Sequence, residues 1–82
     1  MSVFEVWLED ALDHGHILDE FDNLKEAKKC YDGYVKMGPE DYDLSVELLE
    51  VTDDEDYIYH EFCEWFTLDS WNEAHPSGRF DA

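Results

Sequence analysis

Two stretches of alternating apolar and polar residues flank one helical segment, and this pattern constrains the fold more than any other feature. Residues 3–9 alternate, with Phe4, Val6 and Leu8 on one side of an extended chain. Residues 16–21 read as a second, shorter strand after a break. The chain therefore begins with a predicted antiparallel hairpin that has one apolar side.

A helix start signal follows the hairpin. Asn23 can cap the helix and Glu26 can complete a capping box, while Asp22 is a competing cap. Apolar residues then recur at helical spacing until Gly38-Pro39 ends the run. We therefore expect a single surface helix between the cap and Gly38.

A second pair of strands is predicted after the helix. Apolar residues alternate along 44–48, and their phase then slips at Leu48-Leu49, which a β-bulge would explain. The acidic run 53–56 predicts a turn. Residues 57–66 are apolar or aromatic on both faces, so we expect a strand that is central or covered on both sides.

Together these segments predict an α+β fold: an antiparallel sheet of about four strands, in the order β-β-α-β-β, with one helix packed on one face. A single domain over residues 1–82 is expected at this length. Residues 67–82 are predicted to form a partly ordered C-terminal tail with a short helical turn around 69–74. For Cys30 and Cys63, two buried thiols are favoured over a disulfide.

Acidic residues dominate the composition. The chain has 23 Asp and Glu against 5 Lys and Arg, which gives a formal net charge of −18. Residues 25–36 hold four of the five bases and only two acids, so the remaining 21 acids and Arg79 carry a net charge of −20. Direct binding to nucleic acid is not expected, because phosphate contacts need clustered Lys and Arg. Binding to an anionic membrane surface is disfavoured for the same reason.

Targeting segments are not expected either. The first ten residues carry three acids and no base, unlike the cationic start of a signal peptide. No stretch approaches the roughly 18 to 20 apolar residues of a membrane span. We therefore expect a soluble protein of the cytoplasm.

The acids of the predicted strands are expected on the sheet face opposite the helix. Carboxylates at i and i+2 lie roughly 6.5 to 7 Å apart on a strand, which is comparable to the spacing of successive phosphates. Exposed aromatic side chains within such a face would anchor a protein partner, and Trp7, Tyr57 and Tyr59 are the candidates. The strand carboxylates are Glu5, Glu9, Asp43 and Glu47. The acids at positions 10, 13, 50 and 53–56 are expected to extend the acidic surface into the loops. The whole predicted partner-binding surface comprises Glu5, Trp7, Glu9, Asp10, Asp13, Asp43, Glu47, Glu50, Asp53, Asp54, Glu55 and Asp56.

Catalytic, cofactor and metal sites are not indicated. Carboxylate pairs occur throughout the chain, so no pair is marked as a general acid and base. No Gly-rich phosphate-binding loop is present. His14 and His16 could chelate a metal together with Asp13 or Asp19, but histidines in a loop are more often simply solvent-exposed. We expect no enzyme activity, no cofactor and no metal.

In size, acidity and aromatic content, the chain resembles the DNA-mimic proteins, many of them phage-encoded. These include inhibitors of restriction enzymes, CRISPR effectors, uracil-DNA glycosylase and histone-like nucleoid proteins. The β-β-α-β-β pattern is similar to small host-takeover proteins of lytic phages, among which an inhibitor of the nucleoid protein HU is favoured. The resemblance covers the whole chain in composition and rests on no motif. It implies that carboxylates replace phosphates in a basic groove and exclude DNA by competition.

The sequence therefore favours two functions. The first is a DNA mimic that occupies the basic surface of an HU-like protein in the host bacterial cytoplasm or nucleoid. The alternative is an immunity or antitoxin-like inhibitor of a basic nuclease or other toxin, whose electrostatics would be nearly identical. A small metal-binding or structural phage protein is a third option. A free sheet edge could pair two copies into a homodimer, although charge repulsion opposes it.

Overall fold

One four-stranded antiparallel sheet, with a helix on one face, forms the body of the protein. The computed structural model describes residues 2–12 and 15–76. The elements are β1 (Val3–Asp10), β2 (His16–Phe21), α1 (Leu24–Met37), β3 (Asp43–Val51), β4 (Tyr57–Glu64) and α2 (Leu68–Ala74). The strands lie in the order β2-β1-β3-β4, with every neighbouring pair antiparallel. The predicted α+β class and the β-β-α-β-β order are confirmed.

Helix α1 begins and ends where the sequence signals predict. Asn23 is the N-cap, and its side-chain oxygen accepts a hydrogen bond from the Glu26 backbone N–H at 2.9 Å. Gly38 ends the helix with a φ of 81°, and its N–H donates to the Tyr34 carbonyl at 3.0 Å. Glycine adopts this left-handed backbone at low cost, so Gly38 itself determines where α1 ends.

The hydrophobic core lies between α1 and the two central strands. Ala27 and Tyr31 of the helix are buried against Val6, Val46 and Leu48 of β1 and β3. Each large apolar side chain buried in this way contributes roughly 1.5 to 3 kcal/mol. The apolar sides of the two predicted hairpins therefore meet on one face of the sheet, and no helix within residues 2–12 and 15–76 covers the other face.

The β3–β4 pairing changes register where the sequence predicts a bulge, but the extra residue is on the other strand. Leu48 pairs with Glu61, whereas Leu49 pairs with Tyr59, so His60 is the additional residue. At this point β3 itself has no extra residue. Its alternation consequently places Leu49 on the sheet face opposite the core.

The prediction that the fourth strand is central or covered on both sides is wrong. β4 lies at the edge of the sheet beside β3. Its outward aromatic side chains are open to solvent, with Tyr57 59%, Tyr59 67% and Phe62 53% exposed. An apolar edge strand and a buried strand share the same sequence pattern, because both carry apolar residues on each side.

Helix α2 contacts the loop that precedes β3 and coincides with the helical turn predicted around 69–74. Thr67 and Ser70 form a capping box at its start. Trp71 is only 2% exposed, and its indole N–H donates to the Asp41 carbonyl at 3.1 Å. Residues 77–82 of the predicted tail lie outside the described residues.

Both cysteines are free thiols, as the sequence favours. Cys30 and Cys63 are half-buried beside the core, and burial raises the pKa of the Cys30 thiol. Within the described part of the chain, neither helix has the length and apolar character needed to cross a membrane.

Candidate partner-binding surface

The face of the sheet turned away from α1 is the candidate site, and we call it the open face. Alternation along the strands, read through the observed register, assigns residues to it. Its members are Val3, Glu5, Trp7 and Glu9 of β1, Ile17 and Glu20 of β2, Ser45, Glu47, Leu49 and Val51 of β3, and Tyr57, Tyr59, Phe62 and Glu64 of β4. Apolar, aromatic and acidic residues are therefore interleaved on one surface.

A groove of about 300 Å³ crosses the middle of the open face. Leu49, which is 5% exposed, lies among side chains that are much more open to solvent. The residues that line the groove, called here the aromatic groove, are Trp7, Glu9, Glu47, Leu49, Tyr57 and Tyr59. Three aromatic rings and two carboxylates thus surround one apolar side chain.

The Trp7 ring is held in place by its neighbours. Its indole N–H donates to a carboxylate oxygen of Glu5 at 2.9 Å. Ile17 of β2 lies opposite Trp7 in the β1–β2 pairing. A half-buried tryptophan that is fixed in this way presents a preformed ring surface to a ligand.

The electrostatics of the groove are dominated by Glu47 and Glu9. Partial burial, and then the nearby Glu9 carboxylate, raise the pKa of Glu47 above its ordinary value. The described part of the chain contains four bases, all of them lysines of α1 on the far side of the sheet. A cation arriving from a partner would stabilise both carboxylates of the groove.

The structure brings together the central part of the predicted surface. Glu5, Trp7, Glu9 and Glu47 share the open face. The predicted aromatic anchors Tyr57 and Tyr59 lie beside them and are exposed, whereas Trp7 is half-buried. The half-buried Val51 and the exposed Phe62 lie on the same face.

The expectation that Asp43 lies on this face is wrong. The β1–β3 register shifts at its end, so that Glu9 pairs with Ser45 but Asp10 pairs with Asp43. Leu44 is the extra residue, and it reverses the side on which Asp43 lies.

Asp10 and Asp43 instead lie on the α1 side of the sheet. Both line a cavity of about 460 Å³ together with Tyr34 and Met37 of the helix. Each carboxylate also accepts a local backbone hydrogen bond: Asp10 from the Leu12 N–H and Asp43 from the Glu40 N–H, both at 3.0 Å. They organise chain turns at this end of the sheet and do not extend the open face.

Glu50 also lies on the α1 side. It pairs across the sheet with Phe4, whose side chain packs against the core, and its carboxylate is 2.9 Å from the His60 ring nitrogen. Hydrogen bonds from Ser2 and then His60 lower the pKa of Glu50. The expectation that Glu50 extends the acidic surface is therefore wrong, because it is an odd number of positions from Glu47 on a regular strand.

The remaining predicted acids lie outside the open face. Asp53, Asp54, Glu55 and Asp56 are exposed in the turn between β3 and β4, which ends directly before Tyr57. Asp13 is outside the described residues. No group of three or more His, Cys, Asp and Glu side chains in residues 2–12 and 15–76 is arranged to hold a metal ion.

Several open-face residues are absent from the predicted surface. Leu49 could have been recognised from the phase slip in β3, since a regular strand would turn it away from the core. Phe62 and Glu64 depend on the position of the β4 bulge, and Ile17 and Glu20 depend on the irregular β1–β2 pairing. No local sequence signal fixes either irregularity.

Comparison of the chain with protein-family models, curated proteins and solved structures finds no match.

Proposed function

We propose that this protein binds the basic surface of a DNA-binding protein through its open face and blocks DNA binding by competition. An HU-like nucleoid protein in the bacterial cytoplasm or nucleoid is the favoured target. One observation carries the proposal: a sheet face that no described helix covers combines five carboxylates and exposed aromatic rings, while every described base lies on α1.

The carboxylates of the open face are distributed across neighbouring strands. Glu5 and Glu9 lie on the same side of β1, roughly 13 Å apart from the rise of an extended chain. Glu47 is paired with Trp7, midway between them. This arrangement offers negative charge at several points of a basic groove, where it can steer a cationic partner and compete with phosphates.

The aromatic side chains support a protein partner over general polyanion behaviour. Interfaces between proteins are enriched in Tyr, Trp and Phe at their centres, and Trp and Tyr are also enriched among hot-spot residues. Trp7, Tyr57, Tyr59 and Phe62 form such a centre among the carboxylates. A face that served only to keep the protein in solution would not need exposed rings of this size.

A displacement assay tests the proposal. Fluorescently labelled duplex DNA is bound to purified HU, and fluorescence anisotropy is followed as the protein is added. We expect stoichiometric release of the duplex. The triple variant Glu5→Lys, Glu9→Lys and Glu47→Lys should lose this activity while keeping the circular dichroism spectrum of the folded protein.

A matched control separates the open face from total charge. The variant Asp22→Lys, Glu40→Lys and Glu73→Lys changes the net charge by the same amount at exposed positions away from that face. It should release DNA nearly as well as the unmodified protein. Equal loss of activity in the two triple variants, or no release of DNA by the unmodified protein, would refute the proposal.

A further inference from the structure

We propose that the aromatic groove is a binding site for one guanidinium group, supplied by an arginine side chain of the partner. This inference rests on the proposed function, because it names the group that a basic partner would insert at the centre of the open face. The observation behind it is the convergence of Trp7, Tyr57 and Tyr59 with Glu9 and Glu47 around one groove.

The chemistry of these side chains matches a planar cation. The faces of Trp and Tyr rings attract cations, and the attraction strengthens where water is excluded. A guanidinium group can stack on such rings and present its N–H donors to carboxylates in a fork. Glu9 and Glu47 line the same groove as the rings, so stacking and ion pairing can occur together.

The size of the groove favours a single side chain. Its volume of about 300 Å³ is at the lower end of the range for small-molecule sites, roughly 300 to 1,000 Å³. Leu49 gives the groove an apolar surface against which the methylene groups of an arginine can pack. The Trp7 ring is already held by its hydrogen bond to Glu5, so it loses little conformational freedom on binding.

The charge at the groove is suited to a cation from another molecule. Glu47 is partly buried beside Glu9, and these two effects favour its protonated form when the groove is empty. A bound guanidinium would favour the ionised form. All four described lysines belong to α1, on the opposite face of the sheet, so among the described residues none is placed to supply the cation.

A second copy of the chain is a poorer occupant than a basic partner. The open face of another copy would bring more carboxylates to Glu9 and Glu47, and the net charge of each copy is −18. Charge complementarity therefore favours a cationic group from a different protein.

An NMR titration tests the site without any partner protein. N-acetyl-arginine amide is added to isotopically labelled protein, with N-acetyl-citrulline amide as a neutral probe of nearly the same shape and N-acetyl-lysine amide as a compact cation. The arginine probe should give saturable shifts at the Trp7 indole and at Tyr59. It should bind roughly fivefold or more tightly than either of the others, as bidentate, stacked recognition requires.

Matched variants locate the binding energy. Glu47→Gln keeps the shape of the groove but removes a carboxylate, so it should weaken the arginine probe by roughly fivefold or more. Glu73→Gln removes the same charge from α2 and should leave the affinity within about twofold. Equal binding of citrulline, equal binding of lysine, or equal effects of the two variants would overturn the inference.

The test also separates this inference from the proposed function. If the arginine probe binds in the groove but HU keeps its DNA, the guanidinium site stands and the proposed function fails. If the protein displaces DNA from HU but the arginine probe does not bind in the groove, the guanidinium site is disproved and the proposed function stands.

Discussion

Glu47 and Glu50 lie three positions apart on β3, and the sheet gives them opposite surroundings. Glu47 lies on the open face, where partial burial and Glu9 raise its pKa above the ordinary value of 4.5. Glu50 lies on the α1 side, where hydrogen bonds from Ser2 and His60 lower its pKa below 4.5. Ionisation of Glu47 thus opposes folding, whereas ionisation of Glu50 favours it.

Replacing Glu47 should stabilise the protein. Because its pKa is higher in the folded than in the unfolded chain, the folded state loses stability as the pH rises above about 4.5. Glu47→Gln should therefore raise the melting temperature at neutral pH, and the gain should vanish at acidic pH where Glu47 is protonated. Thermal unfolding at a series of pH values measures this, with Glu73→Gln as the control for total charge. A Glu47→Gln variant no more stable than that control would contradict the assignment.

Replacing Glu50 should have the opposite effect. Its lowered pKa contributes stability that is present above the unfolded-state pKa and is lost as the pH falls through the folded-state value, below 4.5. Glu50→Gln should lower the melting temperature at neutral pH, and the difference should shrink in acid. The same pH series measures both glutamates. If both substitutions stabilised the protein equally, total charge and not local contacts would govern stability.

Features of the helices and strands that depend on local sequence signals could be predicted, whereas those that depend on pairing with neighbouring strands could not. Asn23 and Gly38 mark the ends of α1, and the alternation of β1 and β3 identifies their buried sides. The edge position of β4 depends on the order of strands in the sheet, which its own sequence does not encode. The side on which Asp43 lies could not be predicted either, because one extra residue in the β1–β3 pairing reverses it.

The α1 cap provides a test at the scale of one element. Asn23→Ala removes the side-chain acceptor for the Glu26 N–H and should reduce the free energy of unfolding by about 1 kcal/mol. Asp22→Ala is the control, because the neighbouring acid is not the cap. Urea denaturation of both variants measures the difference. A larger loss from Asp22→Ala than from Asn23→Ala would contradict the observed cap.

Across the whole molecule, the described bases lie on one side of the sheet, whereas acids occur on both sides. The described bases are confined to α1, while the open face and the β3–β4 turn are acidic. The order of residues along the chain predicts where the bases lie, because residues 25–36 hold four of the five. The aromatic groove depends on strand order and register, so it emerged only from the structure.

A salt series tests whether this charge drives binding. Electrostatically steered complexes weaken as salt screens their charges. We expect the affinity for HU to fall by about tenfold or more between about 50 mM and about 200 mM salt. The triple variant with Lys at positions 5, 9 and 47 should bind HU weakly at every salt concentration in this range. An affinity that is constant over this range would argue against a basic groove as the target.

Mapping the contact surface of the complex shows whether the open face binds a basic DNA-binding protein. Two-dimensional NMR spectra of labelled protein are recorded with and without unlabelled HU. We expect the largest changes in chemical shift on the open face, centred on Trp7, Glu47 and Tyr59, while the signals of the exposed lysines of α1 change little. Changes centred on α1, or spread evenly over every acidic segment including the 53–56 turn, would contradict it.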